Sequence, residues 1–290
     1  MHESDYFLII IASARHLDYT DCKGFSKTLV KHPDTGRKNC DIGHVWMYLQ
    51  GVKDGRKVYL NGGHTGDFGV LQPHYFDGLL EMHAQGDPNP IRILWRPYFD
   101  GMYEDGHQGF YPTYAAKFDL SEKDFDAILK YLESYDYHCY SLYNHQCCNF
   151  VTRVASIAGI ELDTTFEMEI DQEVDFFGEK VRLWSDPMYS RIELNNPDMI
   201  EKALMEAVEE GRAEYALPWY TRRFQCRPGL NVLFRDLVQF PCRLLRAYYI
   251  FRPGFKCRLE PNSETAQSPH CGVGRLDRCG SPLSGYPGSR

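Results

Sequence analysis

The sequence predicts an α+β domain in which an antiparallel sheet packs against helices. Three observations carry this. Runs rich in Ile, Val, Tyr and Phe lie in the first hundred residues, a turn signal joins two of them as a hairpin, and helices with recognisable caps follow from about residue 120.

Asp5–Ser13 reads as a buried strand, with Ile9, Ile10 and Ile11 in succession. Residues 19–43 are polar and turn-rich. His44–Gln50 is a strand and Lys57–Leu60 its partner; Asp54-Gly55, between them, is a hairpin signal. A hairpin centred there sets residue 44 opposite about residue 63, which places His64 beside His44. Asn61–Gly69 reads as a glycine-rich loop and Ile91–Tyr98 as another strand. Leu120–Ser134 is a helix: Ser121 and Asp124 resemble a capping box, and Phe125, Ile128, Leu129 and Leu132 share a face. Cys147–Ala158 is a second helix, with Val151, Val154 and Ala155 inward and Gly159 as its stop. Pro197–Glu210 is a third, capped by Asn196 and ended by Gly211. From Glu260 on, Ser, Pro and Gly dominate and the chain reads as disordered.

Composition sets the class. Of 290 residues, 43% are hydrophobic and 14% aromatic, enough to bury a large core. The net charge of −8 is uneven. Trp219–Arg258 holds nine basic residues against one Asp, and the last 32 residues balance, so the first 218 carry −16. An acidic body argues against general nucleic-acid binding. The basic stretch has two readings. It is a helical appendage packed on the acidic body, or an amphipathic element lying on an anionic membrane. Phe234, Leu237, Phe240, Leu244, Leu245, Tyr248 and Phe251 supply its apolar face, and Pro241 would kink it. The start of the chain lacks a basic leader, and no stretch of 18 uncharged apolar residues occurs. The expectation is a cytoplasmic protein, at most peripheral to a membrane. Ten cysteines without a compact framework read mostly as reduced thiols.

Chemistry concentrates in Tyr143–Val154, YNHQCCNFVTRV. A cysteine at the first turn of a helix faces the positive end of the helix dipole, where thiolate is favoured. Cys147 is that residue. A thiolate there would be a nucleophile on a rigid element; otherwise Cys147 is a buried structural thiol. Gln146 is a candidate to help bind an oxyanion, alongside the Cys147 backbone N–H. His44 opens an apolar strand and is the best-placed base, with His64 to orient its ring. Alternatively His44 merely caps the strand and His64 is a polar loop residue. His138, Cys139, His145, Cys147 and Cys148 match no common zinc spacing. Gly62–Gly69 lacks the ending of a phosphate loop. No metal and no cofactor are expected.

The order of these parts resembles the circularly permuted papain-like cysteine enzymes, which include NlpC-type and lecithin retinol acyltransferase-like members. Their hallmark is a His opening a strand, followed much later by Asn-Cys-x-x-Phe-Val. Here GHVWMYL (43–49) matches the first part and QCCNFV (146–151) the second, over roughly residues 40–160. Gln146 replaces the usual Asn, and the second His lies farther from the first than in the acyltransferase-like members.

The resemblance implies a papain-like fold with Cys147 as nucleophile, His44 as base and His64 as the orienting third residue. It implies an amide or ester hydrolase, a peptidase or amidase working through an acyl-cysteine. A lipid acyltransferase or phospholipase-like enzyme at membranes, and a non-enzymatic binding scaffold, are the alternatives. The implied substrate is a peptide, amide or lipid ester, with an anionic membrane surface engaged through residues 219–258. The expected plan is a catalytic domain over 1–165, an accessory strand and helix region over 166–218, the basic aromatic segment over 219–258 and the tail over 259–290.

Overall fold

A computed structural model describes residues 4–30, 42–66, 71–106, 110–176 and 178–224. Its main strands are β1 (Phe7–Ser13), β2 (His44–Lys53), β3 (Arg56–Thr65), β4 (Met102–Asp105) and β5 (Tyr114–Asp119). Two small ladders follow, β6 (Thr165–Glu169) with β9 (Arg191–Asn195) and β7 (Glu173–Phe176) with β8 (Glu179–Arg182). The last strand, β10 (Glu214–Tyr215), returns to the main sheet, whose order is β10-β5-β1-β2-β3-β4, antiparallel throughout. The helices are α1 (Cys22–Val30), α2 (Leu71–Ala84), α3 (Glu122–Ser134), α4 (Cys147–Ile157), α5 (Pro197–Glu209) and α6 (Leu217–Phe224).

Strand β1 explains its own composition. Successive side chains point to opposite faces of a sheet, and here both faces are covered. Leu8, Ile10 and Ala12 meet Val45 and Met47 under α3, α4 and α5. Phe7, Ile9 and Ile11 meet Trp46 and Tyr48 on the other side, under Tyr220 of α6. A strand buried on both faces has no reason to alternate, hence FLIIIAS. Each large apolar side chain fully buried contributes about 1.5–3 kcal/mol. The α6 side is also tied by polar bonds: Trp46 Nε1 donates to the Tyr220 hydroxyl at 2.7 Å, which donates to Asn61 Oδ1 at 2.8 Å.

The locally coded elements form as expected. Ser121 caps α3 in a full capping box with Asp124. Asn196 caps α5 by accepting from Met199 N at 2.9 Å, and Gly211 beyond it takes φ +75°. Asp54 and Gly55 turn the β2–β3 hairpin with φ +51° and +71°.

Four expectations change. The turn-rich stretch 19–43 contains α1, opened by Asp21 Oδ1 accepting from Gly24 N at 2.6 Å. The glycine-rich loop at Asn61–Gly69 is strand as far as Thr65, because β3 is paired on both sides, by β2 and by β4. Ile91–Tyr98 is a 3-10 helix over Pro90–Trp95: Pro90 sits in its first turn, and Ile91 and Ile93 are buried without strand partners. The domain limits at 165 and 218 fall inside one unit, since β10 joins the main sheet and α6 runs across residue 218 to pack on it. Of the basic segment, Trp219, Tyr220 and Phe224 lie against the sheet; its remainder, and the tail, lie outside the described residues. No helix among the described residues is long and apolar enough to cross a membrane.

Candidate active site

The start of α4 is a fixed platform. Gln146 is its N-cap, and its Oε1 accepts from Cys148 N at 2.6 Å. Its Nε2 donates to the Asn195 carbonyl at 2.7 Å, tying the helix end to the end of β9. Both ends of the amide are therefore committed, and the same Oε1 also lies 3.4 Å from the Cys147 Sγ, whose S–H can donate to it. The expectation that Gln146 helps hold an oxyanion is replaced by a capping role, and a cap of this type stabilises a helix by about 1 kcal/mol. Behind it Phe150, Val151, Val154 and Ala155 are fully buried, so the platform is anchored in the core.

Cys147 is the first residue of this helix, as the sequence predicts, and is only 4% exposed. Its thiol is held well below the usual cysteine range. The S–H of Cys148 is the largest influence, and burial acts against it; the charge and hydrogen bonding of His44 and the Val45 backbone N–H add to the lowering. The positive helix end works in the same direction. Cys148 is pushed the other way, first by burial, then by its bond to Cys147, the charge of Cys147 and the carboxylate of Asp198.

His44 opens β2, opposite Ser13 of β1. Gly43 before it takes φ +90°, and a Cβ there would collide with the Ser13 carbonyl oxygen, so the approach to His44 requires glycine. The imidazole stacks on Phe110 with centroids 4.9 Å apart and on Trp46 at 5.8 Å. It is buried beside the Cys147 sulfur, and its Nε2 has no hydrogen-bond partner among the described residues.

His64 does not orient His44. The observed register pairs Met47 with Gly62, which sets residue 44 level with residue 65 rather than 63. His64 then faces α4 and the aromatic segment before it. Its Nδ1 meets the Tyr135 hydroxyl at 2.9 Å and its Nε2 the Tyr137 carbonyl at 3.2 Å. Rings of Tyr135, Tyr140 and His145 surround it at about 5 Å. Burial, reinforced by the neighbouring His145, pushes its pKa down to about 4. A ring with both nitrogens spent and no charge at neutral pH holds β3 to the segment before α4.

Tyr140 was not singled out by the sequence. Its hydroxyl faces the Cys147 backbone N–H and both sulfurs, and burial pushes the phenol well up, so it remains an O–H donor. It is one of five tyrosines between residues 131 and 143 and has no distinguishing neighbour, so it carried no signal of its own. Only the bridge that pairs Tyr98 with Tyr140 brings it back over the helix start.

No family model, curated protein or solved structure matches this chain. The functional reading therefore rests on the site itself: a thiol biased toward thiolate, an imidazole beside it, and N–H and O–H donors converging at a helix start. Such a set is suited to nucleophilic attack on a carbonyl. Among the described residues no group of three or more His, Cys, Asp or Glu is arranged to hold a metal ion.

Proposed function

We propose that the protein is a cysteine-dependent acyl-transfer enzyme of permuted papain-like design, an amide or ester hydrolase. The observation that carries this is the Cys147 thiol, lowered beside His44 at a helix N-terminus. The Cys147 sulfur forms a bond to the substrate carbonyl carbon. The resulting oxyanion is met by the Cys147 N–H and the Tyr140 hydroxyl. His44 takes the thiol proton and gives it to the leaving amine or alcohol as the carbon–nitrogen or carbon–oxygen bond breaks. It then takes one from water, which attacks the acyl-cysteine in a hydrolase; another nucleophile replaces water in a transferase. Peptides, other amides and lipid esters all present the required carbonyl. Free thiols at Cys22, Cys139, Cys147 and Cys148 support a reducing, cytosol-like compartment.

A binding scaffold is the second reading, favoured by the low exposure of Cys147 and Cys148, 4% and 0%. Native iodoacetamide labelling with peptide mapping separates the two. The enzyme reading expects Cys147 to react in the folded protein at near-neutral pH, and Cys147→Ala to abolish that reaction. A folded protein whose Cys147 is inert supports the scaffold. Ester and peptide probes used side by side then identify the substrate class.

A further inference from the structure

The reaction above uses one sulfur of two. The Cys148 Sγ lies 3.9 Å from the Cys147 Sγ, a contact in which either S–H can donate, and Cys148 is fully buried. With its proton on, Cys147 can instead donate to Gln146 Oε1 at 3.4 Å. Its backbone N–H is fixed by Gln146 Oε1, so the direction in which its side chain leaves the helix is set. Tyr19 and Asp198 are near enough to interact with its charge. Asp198 receives the Arg15 N–H at 2.6 Å, the Leu17 N–H at 2.7 Å and the Tyr19 hydroxyl at 2.8 Å, which hold its carboxylate in place.

A disulfide between the two is disfavoured. Adjacent Cα atoms are about 3.8 Å apart, short of the range of about 4.4–6.8 Å that disulfides span, and both residues are helical. We propose that Cys148 is a positioning residue whose S–H donates a hydrogen bond to the Cys147 sulfur and holds the nucleophile in its thiolate form. This rests on the reading of Cys147 as the nucleophile. An S–H is a weak donor, but a charged acceptor strengthens the bond, and no bulk water competes at a buried site.

The asymmetry of the pair follows from its surroundings. His44, the Val45 N–H and the helix end favour charge on Cys147, whereas Asp198 and the first thiolate both oppose charge on Cys148. Tyr140 and Tyr135 also face the Cys147 sulfur, and burial raises both phenols, so neither titrates near neutrality. Tyr19, next to Cys148, is likewise raised by burial. When Cys147 acquires its acyl group its charge is lost, while Cys148 keeps its proton; nothing is oxidised or reduced.

The test is the pH dependence of iodoacetamide alkylation of the native chain, from about pH 5 to about pH 9. Wild type is compared with Cys148→Ala, Cys148→Ser and Cys147→Ala. Removing the donor in Cys148→Ala is expected to raise the midpoint by about one pH unit, making alkylation about tenfold slower below it. Cys148→Ser retains a donor and is expected to stay near wild type. An unchanged midpoint in Cys148→Ala, or an equal shift in Ala and Ser, overturns the proposal. Peptide mapping that finds Cys148 alkylated in Cys147→Ala as fast as Cys147 is in wild type overturns the nucleophile reading instead, so the two failures are distinguishable. Reaction at the other free thiols, such as Cys139, is mapped separately. Should the Ala variant not fold, Cys148→Thr and Cys148→Val, matched in shape, give the same contrast: a higher midpoint in Val supports the donor role and equal midpoints overturn it.

Discussion

The start of β2 and the end of β3 each bury a histidine, and the two rings meet opposite conditions. His64 is fully buried with both nitrogens bonded to the Tyr135 hydroxyl and the Tyr137 carbonyl. His44 is nearly as buried, yet its Nε2 has no partner among the described residues and its ring lies beside a thiol of lowered pKa. An unpaired buried polar group costs about 1–3 kcal/mol. A satisfied ring explains itself as structure, whereas an unsatisfied one beside a nucleophile calls for a functional reason. Burial alone does not separate the two; what each nitrogen bonds does.

The largest expected effect breaks the comparison if it is wrong. His44→Ala is expected to lower turnover of an ester or amide probe by about 10²–10⁴-fold. His64→Ala, corrected for its folded fraction, is expected to cost less than about tenfold, since that ring does not touch the reacting atoms. Steady-state kinetics on both variants decide, and the reverse ranking would restore His64 to the catalytic set.

The second effect is on stability. His64 has a folded pKa of about 4 against an ordinary 6.5. Between those values the unfolded chain binds the extra proton, so stability is intact above about pH 6.5 and falls as pH drops toward 4. The span corresponds to about 3 kcal/mol. Urea unfolding at several pH values is expected to show this slope in wild type and to lose it in His64→Gln. Parallel slopes in the two proteins would show that His64 is not the responsible group.

The smallest effect concerns Gln146. Replacement by Ala is expected to destabilise the fold by about 1 kcal/mol through loss of the cap. It is expected to change the Cys147 alkylation rate only modestly, since the Gln146 Oε1 lies 3.4 Å from the Cys147 Sγ and fixes the Cys148 N–H. A large loss of turnover at unchanged stability would return Gln146 to the oxyanion role.

By itself the sequence determined what is decided within a few residues along the chain. The Ser121–Asp124 capping box, the Asn196 cap, the Asp54-Gly55 turn and the placing of Cys147 as the first residue of α4 all depend on bonds between near neighbours. Tertiary structure decided the rest, because the deciding partners are far apart in the chain. Asn61–Thr65 is strand despite Gly62 and Gly63, because β2 and β4 pair with it from both sides. The Tyr135–His64 bond spans 71 residues and the Gln146–Asn195 bond 49. Those two bonds move His64 and Gln146 from expected catalytic helpers to structural ties. Tyr140 entered the site by the same kind of distant pairing, with Tyr98. Short-range hydrogen-bond chemistry can be read residue by residue, but which ring satisfies which nitrogen depends on segments that only folding brings together.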